Sequence, residues 1–412
     1  MKERLVIIGA GMASGRLLDH LIAECPDRFD ITIFNAEPRG CYNRIMLSPV
    51  LSGEKAWEEI VTHDAAFYDT HGVTCRFGET VTAIDTDAQR VTGENGTVAY
   101  DQLIFATGSQ PFIIPMPGHD LQGVLAYRDL DDTNKMIAAA NAGGRAVVIG
   151  GGLLGLEAAA GLQSRGMDVT VVHLMDHLME RQLDPTAGRL LQNALAARGI
   201  NVLCGAQSEK ILGENGHVRA LALKDGRELP CDILVMAVGI RPNVGLAKAT
   251  GLDCNRGIVV DASMRSTVPA VSALGECVEH DGQLFGLVAP LYDQARVLAD
   301  RLQGRAAEFV AQELSTKLKV TGCDLFSAGD FADDADREDI ILTDPQNASY
   351  KRLVVQDNRL IGAVIYGDTS DANWFFGLIK NGTDIAQFRD TLIFGPAYQD
   401  DGATPDLCGL AA

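Results

Sequence analysis

The residues with the clearest chemical meaning are glycines. Leu5-Val6-Ile7-Ile8 is a short apolar run that breaks into Gly9-Ala10-Gly11-Met12-Ala13-Ser14-Gly15, and Leu17-Leu18 with Leu21-Ile22 follow at helical spacing. Strand, tight turn and helix in that order make a cradle for a pyrophosphate. Gly9 permits the turn, Gly11 lets the backbone approach the anion, and the positive end of the helix faces it. Ser14 stands at the third position of the fingerprint, where glycine is usual, and is small enough to pack against the strand. Gly9, Gly11, Met12, Ala13 and Ser14 are the first candidate cofactor-binding set.

One Gly-rich turn says little, because turns need glycine for their own reasons. Here the pattern occurs twice. Ala146-Val147-Val148-Ile149 runs into Gly150-Gly151-Gly152-Leu153-Leu154-Gly155-Leu156-Glu157, a complete G-x-G-x-x-G ahead of an Ala-rich helix. Two fingerprints ask for two dinucleotides, FAD on the first and NADH or NADPH on the second. Gly150, Gly152, Leu153, Leu154, Gly155 and Glu157 form the second candidate set. Glu157, just inside the helix, is the candidate catalytic residue, placed toward a nicotinamide ring. As a bare residue it also reads as a helix-surface acid.

Each unit of this kind needs an acid about 20 residues past its glycines to hold ribose hydroxyls. Asp30-Ile31-Thr32-Ile33-Phe34 reads as a strand that ends at Glu37, which takes that role or is a solvated loop acid. Arg44, in Tyr42-Asn43-Arg44, would neutralise pyrophosphate if it is not a surface Arg. In the second unit the strand Asp168–Val172 ends at His173-Leu174-Met175-Asp176. Neither a selecting acid nor an adjacent Arg is there, and Arg181 lies further on, so the nicotinamide cofactor stays open with a lean to NADH. His173 joins the cofactor set, although a lone His is by default a structural residue.

Three further strand ends carry ligand-approach chemistry. Ala106-Thr107-Gly108-Ser109 closes one strand, Gly239-Ile240-Arg241-Pro242-Asn243 closes its counterpart, and Gly275-Glu276-Cys277 closes a third. A carboxylate at Glu276 suits the polyol of a flavin. Pro290 is expected to open a helix whose positive end faces reduced flavin. Both also read as ordinary loop and capping residues.

These residues need a large scaffold, and 412 residues supply about three domains at ~150 residues each. Their 47% hydrophobic content allows a sizeable core. Helices are expected over 129–142 and after the Asp184 N-cap with Pro185 at its first position. A hairpin is expected from Val218 to Glu228. Antiparallel strands are expected at Leu353–Val355 and Leu360–Tyr366, joined at Asp357-Asn358, with a helix-like stretch at Trp374-Phe375-Phe376. No stretch approaches the ~18 apolar residues of a membrane span. The apolar run at Leu5 is too short for a signal core, so a cytoplasmic protein is expected. A net charge of −20 argues against nucleic acid and anionic membranes and favours a partner with a basic face, or simply keeps the protein soluble. Nine cysteines show no C-x-x-C spacing, so no metal site is expected, and the compartment is reducing.

With these residues in hand, the chain resembles two-dinucleotide flavoprotein reductases over nearly its whole length. The carriers are Gly9-Ala10-Gly11, Ala106-Thr107-Gly108-Ser109, Gly150 to Glu157, Gly239 to Asn243 and Gly275-Glu276-Cys277. More narrowly it is similar to the FAD- and NAD(P)H-binding portion of assimilatory nitrite reductase large subunits and to assimilatory nitrate reductase electron-transfer subunits. Tyr42 to Ser48, Gly151 to Glu157, Met179 to Asp184 and Ser315 to Lys319 carry that likeness. The resemblance implies an α/β fold with two Rossmann-like, glutathione-reductase-like domains and a small C-terminal α+β domain. FAD would take 1–112 and 243–308, the nicotinamide nucleotide 113–242, and the α+β domain 309–397, with a tail over 398–412. It also adds Ser48 and Arg128 to the FAD set. It implies hydride transfer from NAD(P)H to FAD and onward delivery to a redox protein: a nitrate or nitrite reductase catalytic subunit, or a small iron–sulfur protein. A homodimer is a further expectation. Nitrite reductase subunits continue into a cysteine-rich iron–sulfur segment, whereas here Cys408 has no partners after it, so the chain reads as a stand-alone reductase or a fragment. The alternatives are a ferredoxin or rubredoxin reductase, an oxidase or peroxide or disulfide reductase using Cys41, and a non-enzymatic flavin module.

Overall fold

The computed structural model describes residues 2–312, 315–320 and 322–398. They fall into two compact units. One gathers the described residues up to Ile113, Ala126–Ile137 and Gly239–Gln312; the other gathers Ile114–Leu125, Ala138–Val238 and the described residues beyond 313.

The first unit is built on a parallel sheet in the order Val271–Ala273, Gln102–Phe105, Glu3–Ile8, Phe29–Asn35, Thr74–Phe77. Its central strands are continuous apolar runs because a parallel sheet is covered on both faces. Leu5, Ile7, Ile33, Leu103, Ile104 and Phe105 are fully buried. Helices Met12–Glu24 and Val288–Leu302 pack against each other. The second of these begins at Val288, two residues before the start expected at Pro290. Pro is tolerated there because first-turn N–H groups have no intrahelical acceptor.

The second unit repeats the plan, with a sheet in the order Ile200–Leu203, Asp168–Val172, Arg145–Ile149, Ile233–Met236, Val124–Ala126. Asp184 caps helix Pro185–Ala197, its carboxylate accepting from Ala187 N at 2.8 Å. The expected hairpin is a three-stranded sheet, Ser208–Glu214, His217–Leu223 and Glu228–Pro230. Its first strand is polar and mostly exposed, so it carries no apolar alternation to read.

The same unit holds a five-stranded antiparallel sheet in the order Ser315–Val320, Cys323–Gly329, Arg359–Tyr366, Ser349–Gln356, Glu338–Asp344. Asp357 and Asn358 form its tight turn with φ of 49° and 56°, the left-handed pair that two-residue hairpins demand. Helix Ala372–Asn381 lays Phe375, Leu378 and Ile379 on this sheet. Trp374 and Phe376 pack against the same core. The tail beyond Tyr398, with Cys408, lies outside the described residues.

Candidate nucleotide sites

The first fingerprint turn is shaped by its contact with the neighbouring strand end. Gly9 has φ 109°, and a Cβ on it would press into the carbonyl oxygen of Ala106 and lie 2.9 Å from that carbonyl carbon. Gly11 is the N-cap of helix Met12–Glu24, and a Cβ on it would meet nothing within 4 Å. One glycine therefore closes the turn and the other fronts open space where a phosphate would meet the helix start. Ser14 is fully buried and its hydroxyl donates to the carbonyl of Gly9 at 2.5 Å. It replaces the usual third glycine by bonding to the turn. Met12 and Ala13 complete the first helical turn.

Charged and polar side chains gather around this cradle. The Arg128 guanidinium pairs with the Glu276 carboxylate and lies 3.9 Å from where a Gly108 Cβ would be. Ser109 Oγ donates to the same carboxylate at 2.8 Å. Arg44 pairs with Glu37, donates to the carbonyl of Arg128 at 3.2 Å and lies over the Tyr42 ring, 4.8 Å from its centroid. Burial works against the Arg44 charge, but Tyr42 and Glu37 outweigh it, so the guanidinium stays fully protonated. Glu37 also accepts from Tyr42 Oη at 2.9 Å and Arg39 Nη1 at 3.1 Å. Thr107 Oγ1 donates to the carbonyl of Asn243 at 2.8 Å. Ser48 Oγ and Tyr127 Oη lie 3.1 Å apart. Gly275 N donates to Gln294 Oε1 at 2.8 Å, and a Cβ on Gly275 would lie 3.3 Å from that of Ala13. Pro290 is buried on the Gln294 helix. Gly239 has φ 109° and accepts from Phe112 N at 2.9 Å.

Residues far apart in sequence thus meet at the carboxyl end of one parallel sheet. Ser109, Tyr42, Tyr127 and Gln294 are additions to the expected set. Gln294 is fully buried and its Nε2 has no hydrogen-bond partner. Ser109 was legible as the residue after Ala-Thr-Gly; Gln294 had no signal, being one polar residue on an apolar helix face.

The second cradle repeats the first. Gly150 has φ 120°, and a Cβ there would press into the carbonyl oxygen of Ala237, 2.8 Å from its carbon. Gly152 is the N-cap of helix Leu153–Ser164 and fronts open space. A Cβ on Gly155 would lie 3.0 Å from the Gly150 carbonyl carbon, so this third position requires glycine. Leu153, Leu154 and Glu157 lie half-buried on that helix. His173 is buried at the end of strand Asp168–Val172, with both ring nitrogens engaged, one by Gly151 N and one by Glu180.

Cys41 is fully buried, and burial pushes its thiol up to about 12. At neutral pH it is a thiol, not the thiolate that nucleophilic or redox chemistry requires. No cluster of His, Cys, Asp or Glu among the described residues can hold a metal ion. No helix among them is long and apolar enough to cross a membrane.

The donor set fits a dinucleotide at each cradle: an open second glycine at a helix start, with two guanidiniums and two carboxylates gathered around the first. Comparison with known proteins agrees. The family described as pyridine nucleotide-disulphide oxidoreductase matches residues 3–297, and the rubredoxin NAD+ reductase C-terminal domain matches residues 315–383. The chain is 45% identical to a nitrite reductase [NAD(P)H] of Bacillus subtilis over 98% of its own length and 50% of the relative's. It is 40% identical to the assimilatory nitrate reductase electron transfer subunit of the same organism, covering 99% of this chain and 53% of that protein. The chain thus spans about half the length of these curated relatives. Its fold is similar to that of a ferredoxin reductase from Rhodopseudomonas palustris, with TM-score 0.81 and 26% identity over 90% of this chain and 93% of that one.

Proposed function

The chain belongs to the pyridine nucleotide-disulphide oxidoreductase family, and from that membership we propose that it is an electron-transfer reductase serving a separate redox protein. When bound, NAD(P)H would supply electrons in pairs and FAD would pass them on singly. The observation that carries the reading is the repeated cradle, in which Gly9 meets Ala106 and Gly150 meets Ala237 in the same way.

FAD is assigned to 1–112 and 243–308, NAD(P)H to 113–242, and the α+β domain to 309–397. In the first portion Arg44 and Arg128 would hold the pyrophosphate, Glu37 a ribose and Glu276 the polyol. Each guanidinium already faces a carboxylate, so a bound pyrophosphate would share the two cations with Glu37 and Glu276. Glu157 would contact the nicotinamide region from the second fingerprint helix. No side chain needs to act as acid or base, so the protein's task is orientation and electrostatics.

The acceptor we favour is the catalytic component of assimilatory nitrate or nitrite reduction, which the names of the two Bacillus relatives support. The acidic surface suits a partner with a basic face. Eight free cysteines among the described residues support a cytoplasmic setting. The burial of Cys41 disfavours a thiol-dependent oxidase or disulfide reductase.

The test is purification followed by an absorption spectrum and an NAD(P)H-driven dye-reduction assay. Bound flavin that bleaches on adding NAD(P)H supports the reading. A flavin-free preparation that cannot be reconstituted overturns it.

A further inference from the structure

The second cradle lacks the acid that normally reads a ribose at the end of its second strand, and His173 stands there instead. The imidazole cannot take over that role itself. Its Nδ1 accepts from the backbone N–H of Gly151 at 3.0 Å, which leaves the ring proton on Nε2. That Nε2 lies 3.1 Å from Glu180 Oε2 and donates to it.

The segment after His173 curls beneath the fingerprint turn. Met179, with φ 54°, donates its N–H to the carbonyl of Gly151 at 3.0 Å. A Cβ on Gly151 would lie 2.6 Å from both His173 Cγ and Leu178 Cδ2. Gly151 is therefore held at its N–H by His173 and at its carbonyl by the curl, and the curl brings Glu180 back to the strand end. The Glu180 side chain stays 29% exposed, so its carboxylate is anchored at one oxygen and still accessible.

We propose that Glu180 is the ribose-reading acid of the second site, carried there by its loop and oriented by His173, and that it selects NADH over NADPH. This rests on reading the second cradle as the nicotinamide nucleotide site. A carboxylate accepts from the 2′- and 3′-hydroxyls of NADH and repels the 2′-phosphate of NADPH. Arg181 next to it is the competing feature, since a guanidinium favours that phosphate. Arg181 is exposed, whereas Glu180 is tied to a buried residue that also holds the turn. Leu174 and Met175, 62% and 45% exposed, offer the phosphate no ligand at the two positions after His173.

The experiment is calorimetric titration of NAD+ and NADP+ into the flavin-loaded protein and its Glu180→Gln and Arg181→Gln variants, with melting temperature and flavin spectrum recorded for each. The wild type is expected to bind NAD+ more tightly. Glu180→Gln should weaken NAD+ about tenfold, the scale of one charge-assisted hydrogen bond, without weakening NADP+. Arg181→Gln should leave NAD+ affinity unchanged. Tighter binding of NADP+ by the wild type, or a Glu180→Gln effect equal on both nucleotides or absent, overturns the proposal. Wild-type protein that keeps its flavin but binds neither nucleotide overturns the reading of the second cradle, and the proposal with it.

Discussion

Gly9 and Ala106 meet backbone to backbone: Ala106 N donates to Ile8 O, just before Gly9, at 2.9 Å, and its carbonyl fills the space a Gly9 side chain would need. Gly150 and Ala237 stand in the same relation, Ala237 N donating to Ile149 O at 2.8 Å. Each fingerprint turn is thus locked to the strand end beside it by backbone contacts alone.

This separates two glycines that look alike in sequence. Gly9→Ala combines a positive φ with a backbone clash and should destabilise the protein by about 2–5 kcal/mol, with loss of flavin. Gly11→Ala has φ −89° and open space, so it should fold with unchanged denaturation midpoint yet retain much less flavin. Equal effects of the two on the denaturation midpoint would contradict this division of roles.

The pairing of Arg128 with Glu276 makes a second prediction. Arg128→Met removes the guanidinium proposed to hold the pyrophosphate and leaves the Glu276 carboxylate without that ion-pair partner. Flavin affinity should fall at least tenfold, because a charge-assisted contact is lost and a like-signed group is exposed to the phosphates. Ultrafiltration of the reconstituted variant measures this. Retention of flavin at wild-type level would remove Arg128 from the site.

Much of this arrangement was legible from sequence because it follows from local backbone demands. Strand Asp168–Val172, the Asp184 cap and the Asp357-Asn358 turn all lie where short apolar runs, capping residues and turn residues place them. What was not legible depends on groups brought together from a distance. Gln294 meets Gly275 across 19 positions, and although Ser109 stood in view after Ala-Thr-Gly, its contact with Glu276 spans 167. Glu180 lay in view within Met179 to Asp184, but only the curl under Gly151 shows what it faces. Strand Ser208–Glu214 was missed because its exposure removes the apolar alternation.

Cys41 gives a prediction with a definite sign in pH. The unfolded thiol loses its proton near pH ~8.5, while the folded one keeps it until about 12. Between those values the native state binds more protons, so stability falls as pH rises, by about 1.4 kcal/mol per pH unit for this group. Cys41→Ser should make the stability profile flatter over that range and leave NAD(P)H-driven dye reduction intact. Loss of turnover without loss of folded protein would revive a thiol mechanism.

Asp184 and Tyr350 supply the last prediction. Asp184 caps helix Pro185–Ala197 through Oδ1 and accepts from Tyr350 Oη through Oδ2 at 2.6 Å, with Arg352 Nη1 3.7 Å away. Burial, and then the bond to Asp184, push the Tyr350 hydroxyl up, so it stays protonated and donates. One buried carboxylate therefore joins the start of a helix to a strand of the antiparallel sheet. Tyr350→Phe should cost about 1–2 kcal/mol, and Asp184→Ala about 2–4 kcal/mol because it also removes the cap and leaves Arg352 less compensated. In a double-mutant cycle the pair should show a coupling of about 1 kcal/mol or more, measured by chemical denaturation. Strict additivity would mean that the two residues stabilise the unit independently, and that the contact between them contributes nothing beyond proximity.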